Sequence, residues 1–213
     1  MILKRLSFIA GCAMAIALLN GCAISKDYIS VNYTPQTNVT ALAGADHVSV
    51  RVEIADVRAI HDRVSVKKNG YGNEMAAIIA TNDIPALLQQ AIQTELSNRG
   101  FKLSGGDVTV LIELSKFYND FKTGFWAGDA VAEMTMSAQI KKSDGNIVYS
   151  KLVTGEGEKL KIQLASGANA KIALEGALSN AVLRLFSDPL FTEGLLKASS
   201  AQPATAASAS PPQ

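Results

Sequence analysis

Residues 107–118 read Asp-Val-Thr-Val-Leu-Ile-Glu-Leu-Ser-Lys-Phe-Tyr, and this stretch does most to decide the fold. Apolar and polar side chains alternate along it, so Val108, Val110, Ile112 and Leu114 fall on one face. A period of two with one apolar face is typical of a strand that is buried on one side only. The sequence therefore predicts a half-buried sheet at this point.

Two further strands follow directly along the chain. Residues 131–142 alternate in the same way, and Asp144-Gly145 predicts a tight turn into a strand over residues 147–156. Three strands in succession that are joined by short turns favour antiparallel pairing.

Two earlier strands belong to the same predicted sheet. Residues 48–54 alternate with Val48, Val50, Val52 and Ile54 on one face. Residues 58–74 are polar and contain a predicted hairpin turn at Lys67-Lys68-Asn69-Gly70, after which residues 75–80 form a short strand.

Two amphipathic helices complete the pattern. The first begins after Asn82 or Asp83, tolerates Pro85 in its first turn and ends before Gly100. The second covers residues 169–186, and a last helical turn is predicted at 192–197. The sequence thus predicts an α+β fold: a twisted antiparallel sheet of about five strands with two amphipathic helices packed on one face.

The beginning of the chain is typical of a secreted bacterial lipoprotein. Lys4 and Arg5 precede an apolar stretch, which ends at Leu19-Asn20-Gly21-Cys22. This resembles a lipobox, although Asn20 stands where a small residue is usual. A second match ends at Cys12, but it leaves an apolar core shorter than the roughly 7–15 residues that a signal needs. An ordinary secretory signal with a coincidental cysteine is the alternative.

The lipobox resemblance implies that the Cys22 thiol takes a diacylglycerol, that residues 1–21 are then removed, and that the new amino group of Cys22 is acylated. Several acyl chains on one residue hold a protein to a membrane far more firmly than one chain does. Ala23 follows the cysteine where an aspartate would favour retention in the inner membrane. The expected location is therefore the outer membrane of a Gram-negative bacterium, facing the periplasm.

Composition divides the rest of the chain into three parts. Residues 22–45 are expected to be a lipidated N-terminus and tether, residues 46–197 a single domain, and residues 198–213 a disordered Ala/Ser/Pro tail. Without Lys4 and Arg5, the 20 basic residues fall to 18 against 19 acidic ones, which gives a net charge of −1. This balance offers no electrostatic case for nucleic acid.

The element order and the lipobox together resemble the YajG-type family of uncharacterised bacterial lipoproteins. The supporting stretches are residues 75–80, the helix with its closing Arg99-Gly100-Phe101, and residues 173–182. The resemblance covers roughly residues 45–197. It implies a periplasmic location and a sheet-plus-helices fold, and it brings no catalytic residues.

Motifs for common enzyme chemistry are missing from the sequence. His47 and His61 lack metal-ligand spacing, and no nucleophile elbow or phosphate loop is present. Glu156 and Glu158 would share one face of a strand, either as an acid–base pair or as ordinary solvated charges. We therefore expect no catalytic residues, no metal and no cofactor.

Aromatic residues cluster at 117–126, between two predicted strands. Phe121, Phe125 and Trp126 are the candidate contacts with a partner protein or a membrane. The alternative is that the rings fold back and cap the core.

Three functions are open at this point. The sequence favours a non-enzymatic, lipid-anchored binding or accessory module, which would contact an envelope protein, peptidoglycan or lipid. An auxiliary subunit of an envelope transport or assembly machine is a second possibility. A periplasmic hydrolase is the third, and it is disfavoured because no catalytic constellation is visible.

Overall fold

The computed structural model describes residues 25–106, 108–122, 124 and 127–199. Seven strands and three α-helices are named within these residues. In chain order they are β1 (Asp27–Ile29), β2 (Val50–Asp56), β3 (Ser65–Lys68), β4 (Glu74–Ala80), α1 (Ile84–Asn98), β5 (Val108–Lys122), β6 (Gly128–Lys142), β7 (Ile147–Ile162), α2 (Gly167–Phe186) and α3 (Pro189–Ser199).

Strand β5 organises one mixed sheet, whose order is β1-β4-β3-β5-β6-β7. One edge of β5 pairs antiparallel with β6 along almost its whole length, and β6 pairs antiparallel with β7. The other edge of β5 is shared: β2 pairs with its first half, and Ser65 of β3 pairs with Asn119 in its second half. The chain between β2 and β3 therefore loops out at the middle of β5.

The observed sheet corrects the predicted one in strand number and direction. It has seven strands instead of about five, and β1–β4, β2–β5 and β3–β5 are parallel pairs. Parallel partners need a long crossover connection. Strands β3 and β4 and helix α1 supply that connection between β2 and β5, a long-range pairing that alternation along each strand could not reveal.

The three helices cover one face of the sheet, as predicted for the first two. Asp83 caps α1 by accepting a hydrogen bond from the Ala86 N–H at 2.9 Å, and Ser166 caps α2. The predicted last turn is a helix of 11 residues, α3. One residue of the predicted apolar stripe of α2, Ile172, is exposed instead. The core lies between these helices and the inner face of β5, β6 and β7.

A β-bulge at Ser115 changes which residues of β5 face the core. Leu114 pairs with Met136 and Lys116 pairs with Thr135, so Ser115 is an extra residue in the ladder. Before the bulge Leu114 is buried, and after it Phe117 and Phe121 are buried. The strand also continues to Lys122, beyond the predicted end at Tyr118.

Residues 27–45, which were expected to be part of a tether, are packed against the domain. Strand β1 joins the sheet beside β4, and Val31 is buried. Farther along, the Tyr33 hydroxyl donates to Glu95 of α1 at 2.7 Å. The folded domain therefore begins well before residue 46.

A buried ion pair holds this segment to α1. Glu95 is fully buried and accepts hydrogen bonds from the Gln36 backbone N–H at 2.9 Å and from Arg99 Nη1 at 2.6 Å. The Arg99 guanidinium also lies 4.4 Å from the ring centre of Phe186, at the end of α2. The cluster joins the N-terminal segment, α1 and α2.

Helix α2 lies very close to β7 because both surfaces are made of small residues. A Cβ atom at Gly157 would overlap the backbone of Ala173 and Ala177, and Gly155 is similarly enclosed. Two side chains of α2 also reach the outer edge of β7. Asn180 donates to the Glu156 carbonyl at 2.6 Å, and Arg184 donates to the Thr154 carbonyl at 2.7 Å.

Candidate functional site

The outward-facing side chains of β5, β6 and β7 form a surface that we call the open face. No helix of the described chain covers it, since all three lie on the opposite side of these strands. It is built by the strict alternation of β6, in which Ala132, Met134 and Met136 point into the core. The residues between them point outward and are half-buried by their neighbours.

The centre of the open face is largely uncharged. Leu111 of β5 pairs with Gln139 of β6, and Ser137 of β6 pairs with Leu152 of β7. Leu152 is 66% exposed, which is a large fraction for a leucine within a strand. Glu113, beside Ser137, is the one charged neighbour within these two rows.

Charged side chains lie toward the two ends of the open face. On one side Lys116 Nζ lies 2.8 Å from Glu133 Oε2, and the Thr135 hydroxyl donates to the other oxygen of Glu133. These contacts, with the hydrogen bond from Lys116 first, lower the pKa of the Glu133 carboxyl. Lys141 lies at the opposite end of the strand. A centre with few charged residues and a polar rim is the usual composition of a protein interface.

Of the residues predicted to make functional contacts, Phe121 is corrected by the structure. It is 2% exposed and faces the core, because the bulge at Ser115 shifts the alternation of β5. It cannot contact a partner or a membrane from that position. Cys22, Phe125 and Trp126 lie outside the described residues, so their predicted roles stay predictions.

A polar cleft that sequence reasoning did not identify lies where β2 ends and α1 begins. Its volume is about 240 Å³, and six polar or charged residues contribute to its lining: Asp56, Arg58, His61, Asp62, Asn82 and Asp83. The loop between β2 and β3 supplies three of them, Arg58, His61 and Asp62. Strands β2 and β3 pair with the same edge of β5, and this forces the loop between them outward. The sequence of these strands does not indicate that pairing.

Asp56 organises the cleft. Arg58 donates to both of its oxygens at 2.8 Å, and His61 Nδ1 lies 3.1 Å from Asp56 Oδ2. The hydrogen bonds from Arg58 lower the pKa of the Asp56 carboxyl to about 2, so it stays ionised at neutral pH. Three carboxylates against one arginine make the lining acidic, which suits a small ligand that is cationic or rich in hydrogen-bond donors.

Glu156 and Glu158 share the outward side of β7, as predicted, and both are exposed. Glu156 pairs across the sheet with Glu133, and Glu158 pairs with Val131.

Within the described parts of the chain, no three His, Cys, Asp or Glu side chains stand close enough to hold a metal ion. None of the described helices is both long and apolar enough to cross a membrane.

Solved structures of other bacterial proteins are similar to this chain. Protein XCC0632 from Xanthomonas campestris is 16% identical; the match covers 79% of this chain and 96% of that one, with a TM-score of 0.55. A minor lipoprotein from Acinetobacter baumannii is 9% identical; the match covers 71% and 97%, with a TM-score of 0.45. The first likeness supports a common fold and nothing more. No curated protein sequence matches this chain.

The fold therefore defines an α+β protein with a mixed sheet and helices on one side. The chain belongs to a family of uncharacterized lipoproteins, whose family model matches residues 35–195. Membership in this family implies a membrane-anchored protein of the cell envelope, consistent with the resemblance noted from the sequence.

Proposed function

We propose that this protein is a non-enzymatic binding or accessory module, anchored through an acylated Cys22 to the outer membrane and facing the periplasm. The open face is its proposed docking surface for an envelope protein or peptidoglycan. The observation that carries the proposal is the one-sided coverage of the sheet. Leu111, Ser137, Gln139 and Leu152 form a centre that the described helices leave uncovered, and Glu113 is its one charged neighbour within these rows of the sheet.

Site-specific crosslinking in intact cell envelopes tests the docking surface. A photoreactive residue at Ser137 or Gln139 should give a discrete crosslinked species, because both lie at the centre of the open face. The same residue at Leu183, which is 45% exposed on the helix side, is the matched control. Equal crosslinking at Ser137 and Leu183, or none at either position, would contradict the proposal.

A charge substitution separates binding from folding. Leu152→Glu should abolish the crosslink from Ser137 while leaving the melting temperature almost unchanged, since Leu152 is already largely exposed. Leu183→Glu should leave both unchanged. Sedimentation of the purified protein with peptidoglycan sacculi then distinguishes a cell-wall ligand from a protein partner.

Phe125 and Trp126 remain proposed contacts with a partner or the membrane. Replacing both with Ser should leave stability nearly unchanged and remove that contact. Burial of the two rings predicts the opposite result, because truncating a buried aromatic side chain costs about 3–5 kcal/mol. The melting temperature of the double variant decides between the two interpretations.

A further inference from the structure

Three parts of the chain meet at one end of the sheet, which we call the turn end. They are the β3–β4 turn at residues 69–73, the end of β5 with the start of β6, and residues 159–164. The strand register shows that these parts lie at the same end. Ile78 pairs with both Asp27 and Ser65, and Ser65 pairs with Asn119, so these four residues form one row across the sheet. Strands β3 and β5 run toward this end from that row.

The N-terminal part of the chain enters the fold from the same end. Strand β1 runs parallel to β4 and therefore away from the turn end, so the residues before Asp27 lead toward it. Lys67 Nζ lies 2.6 Å from Asp27 Oδ1 and 2.9 Å from the Ser25 carbonyl. Asp27 also accepts the Gly167 N–H at 2.7 Å, so the start of β1 is fixed on two sides.

The segment between Cys22 and Ser25 is too short to act as a spacer between the lipid anchor and the domain. Cys22 precedes Ser25 by three residues, which span at most about 10 Å. Lys67 contacts the Ser25 carbonyl, and Gly70 follows Lys67 by three residues. The β3–β4 turn therefore projects by a similar distance beyond that contact. A membrane that holds Cys22 must therefore lie near the tip of that turn.

The turn end carries side chains that suit a lipid surface. Tyr71 is 92% exposed, Leu160 is 53% exposed and Leu164 is 59% exposed. Lys159 and Lys161 flank Leu160 near the end of β7 and are also exposed. Tyrosine and leucine favour the boundary between lipid headgroups and acyl chains, and lysine is attracted to anionic headgroups.

We propose that the turn end faces the bilayer, with Tyr71 and Leu164 in the headgroup region of the membrane that holds Cys22. This inference rests on the proposed acylation of Cys22. Residues 22–45 were expected to hold the domain away from the membrane as a tether. In the proposed orientation the domain instead contacts the membrane directly. The sheet then stands away from the surface, and the turn at Asp144-Gly145, at the other end of the 15-residue strand β6, lies about 45–50 Å from it.

Spin labels on the full-length lipoprotein test this orientation. The protein is reconstituted in vesicles of phosphatidylethanolamine and phosphatidylglycerol, with Tyr71→Cys or Leu164→Cys as the labelled position. Leu103→Cys is the matched control, because Leu103 is 43% exposed and precedes β5 at the opposite end of the sheet. Processing removes Cys12 and acylation blocks Cys22, so each variant takes one label.

The readout is the ratio of relaxation by oxygen, which concentrates in lipid, to relaxation by a water-soluble nickel complex. Labels at 71 and 164 should give a ratio several-fold higher than the label at 103. Equal ratios on a chain whose mass shows acyl groups would overturn the orientation and leave the anchor intact. A second label on Cys22 would show that it is not acylated, and the anchor and the orientation would then both be wrong.

Discussion

Leu88 shows how a single residue contributes to this core. It lies on the inner side of α1 and is fully buried, whereas Gln90, two residues later, is exposed. Leu88→Ala should lower the free energy of unfolding by about 2–5 kcal/mol, because it removes apolar contacts and leaves a cavity. Gln90→Ala should change it by less than about 0.5 kcal/mol. Urea unfolding measures both values, and equal shifts would show that the wrong side of α1 has been placed inward.

Residue-level burial was predictable only where the pattern of a strand is unbroken. Four alternate residues face the core as the pattern predicts: Val108, Val110, Ile112 and Leu114. Beyond them the extra residue Ser115 reverses the parity, so Phe117 and Phe121 are core residues. A bulge depends on the pairing of two strands, here Leu114 with Met136 and Lys116 with Thr135, and the sequence of one strand does not reveal it.

At the scale of elements, the contact between α2 and β7 depends on glycine. Gly157→Ala would place a methyl group against the backbone of Ala173, which cannot move without displacing the helix. We expect a loss of at least about 1–3 kcal/mol in unfolding free energy, as for other overpacked cores. Gly70→Ala is the control, since its Cβ atom would meet nothing within 4 Å. Similar melting temperatures for the two variants would contradict this close approach.

Elements with a strong local signal were predictable, and those that depend on distant partners were not. Helix α1 has a capping Asp83 and a terminal Gly100 with φ of 91°, and both features were predicted from their positions. Strand β1 is three residues long and exists because β4 lies beside it. The docking of residues 30–45 similarly depends on Glu95, more than 50 residues away, and the polar cleft depends on the β2–β5 register.

At the scale of the whole molecule, Glu95 links stability to pH. Burial alone would raise the pKa of Glu95, but hydrogen bonds from the Gln36 N–H, Arg99 and Tyr33 outweigh it and lower that pKa below its ordinary 4.5. The carboxylate therefore stabilises the fold fully above about pH 4.5, and this contribution is lost as pH falls through the lowered pKa.

Glu95→Gln should remove this dependence. We expect the variant to be less stable by about 3–5 kcal/mol at pH 7, because Arg99 loses its buried partner. The difference from the unaltered protein should shrink below pH 4.5. Denaturant unfolding between pH 3 and 7 measures it, with Glu193→Gln on the exposed side of α3 as the control. A difference that stays constant over this range would refute the assignment.

The proposed anchor makes its own prediction for the whole protein. Cys22→Ser should prevent acylation, so the protein should accumulate as a precursor or a soluble species. Membrane fractionation combined with the intact mass of the chain is the measurement. Unchanged outer-membrane fractionation of the variant, together with no lipid mass on the unaltered protein, would show that another feature holds the protein at the membrane.

The side chains of Asn180 and Arg184 on the outer edge of β7 matter most when many copies share one bilayer. Anchored proteins diffuse in two dimensions and meet one another repeatedly in similar orientations. A bare edge strand of 16 residues would then be a template for pairing with the next copy. Because these two side chains already occupy the carbonyls of Glu156 and Thr154, a neighbouring sheet could pair with the middle of β7 only by breaking both hydrogen bonds.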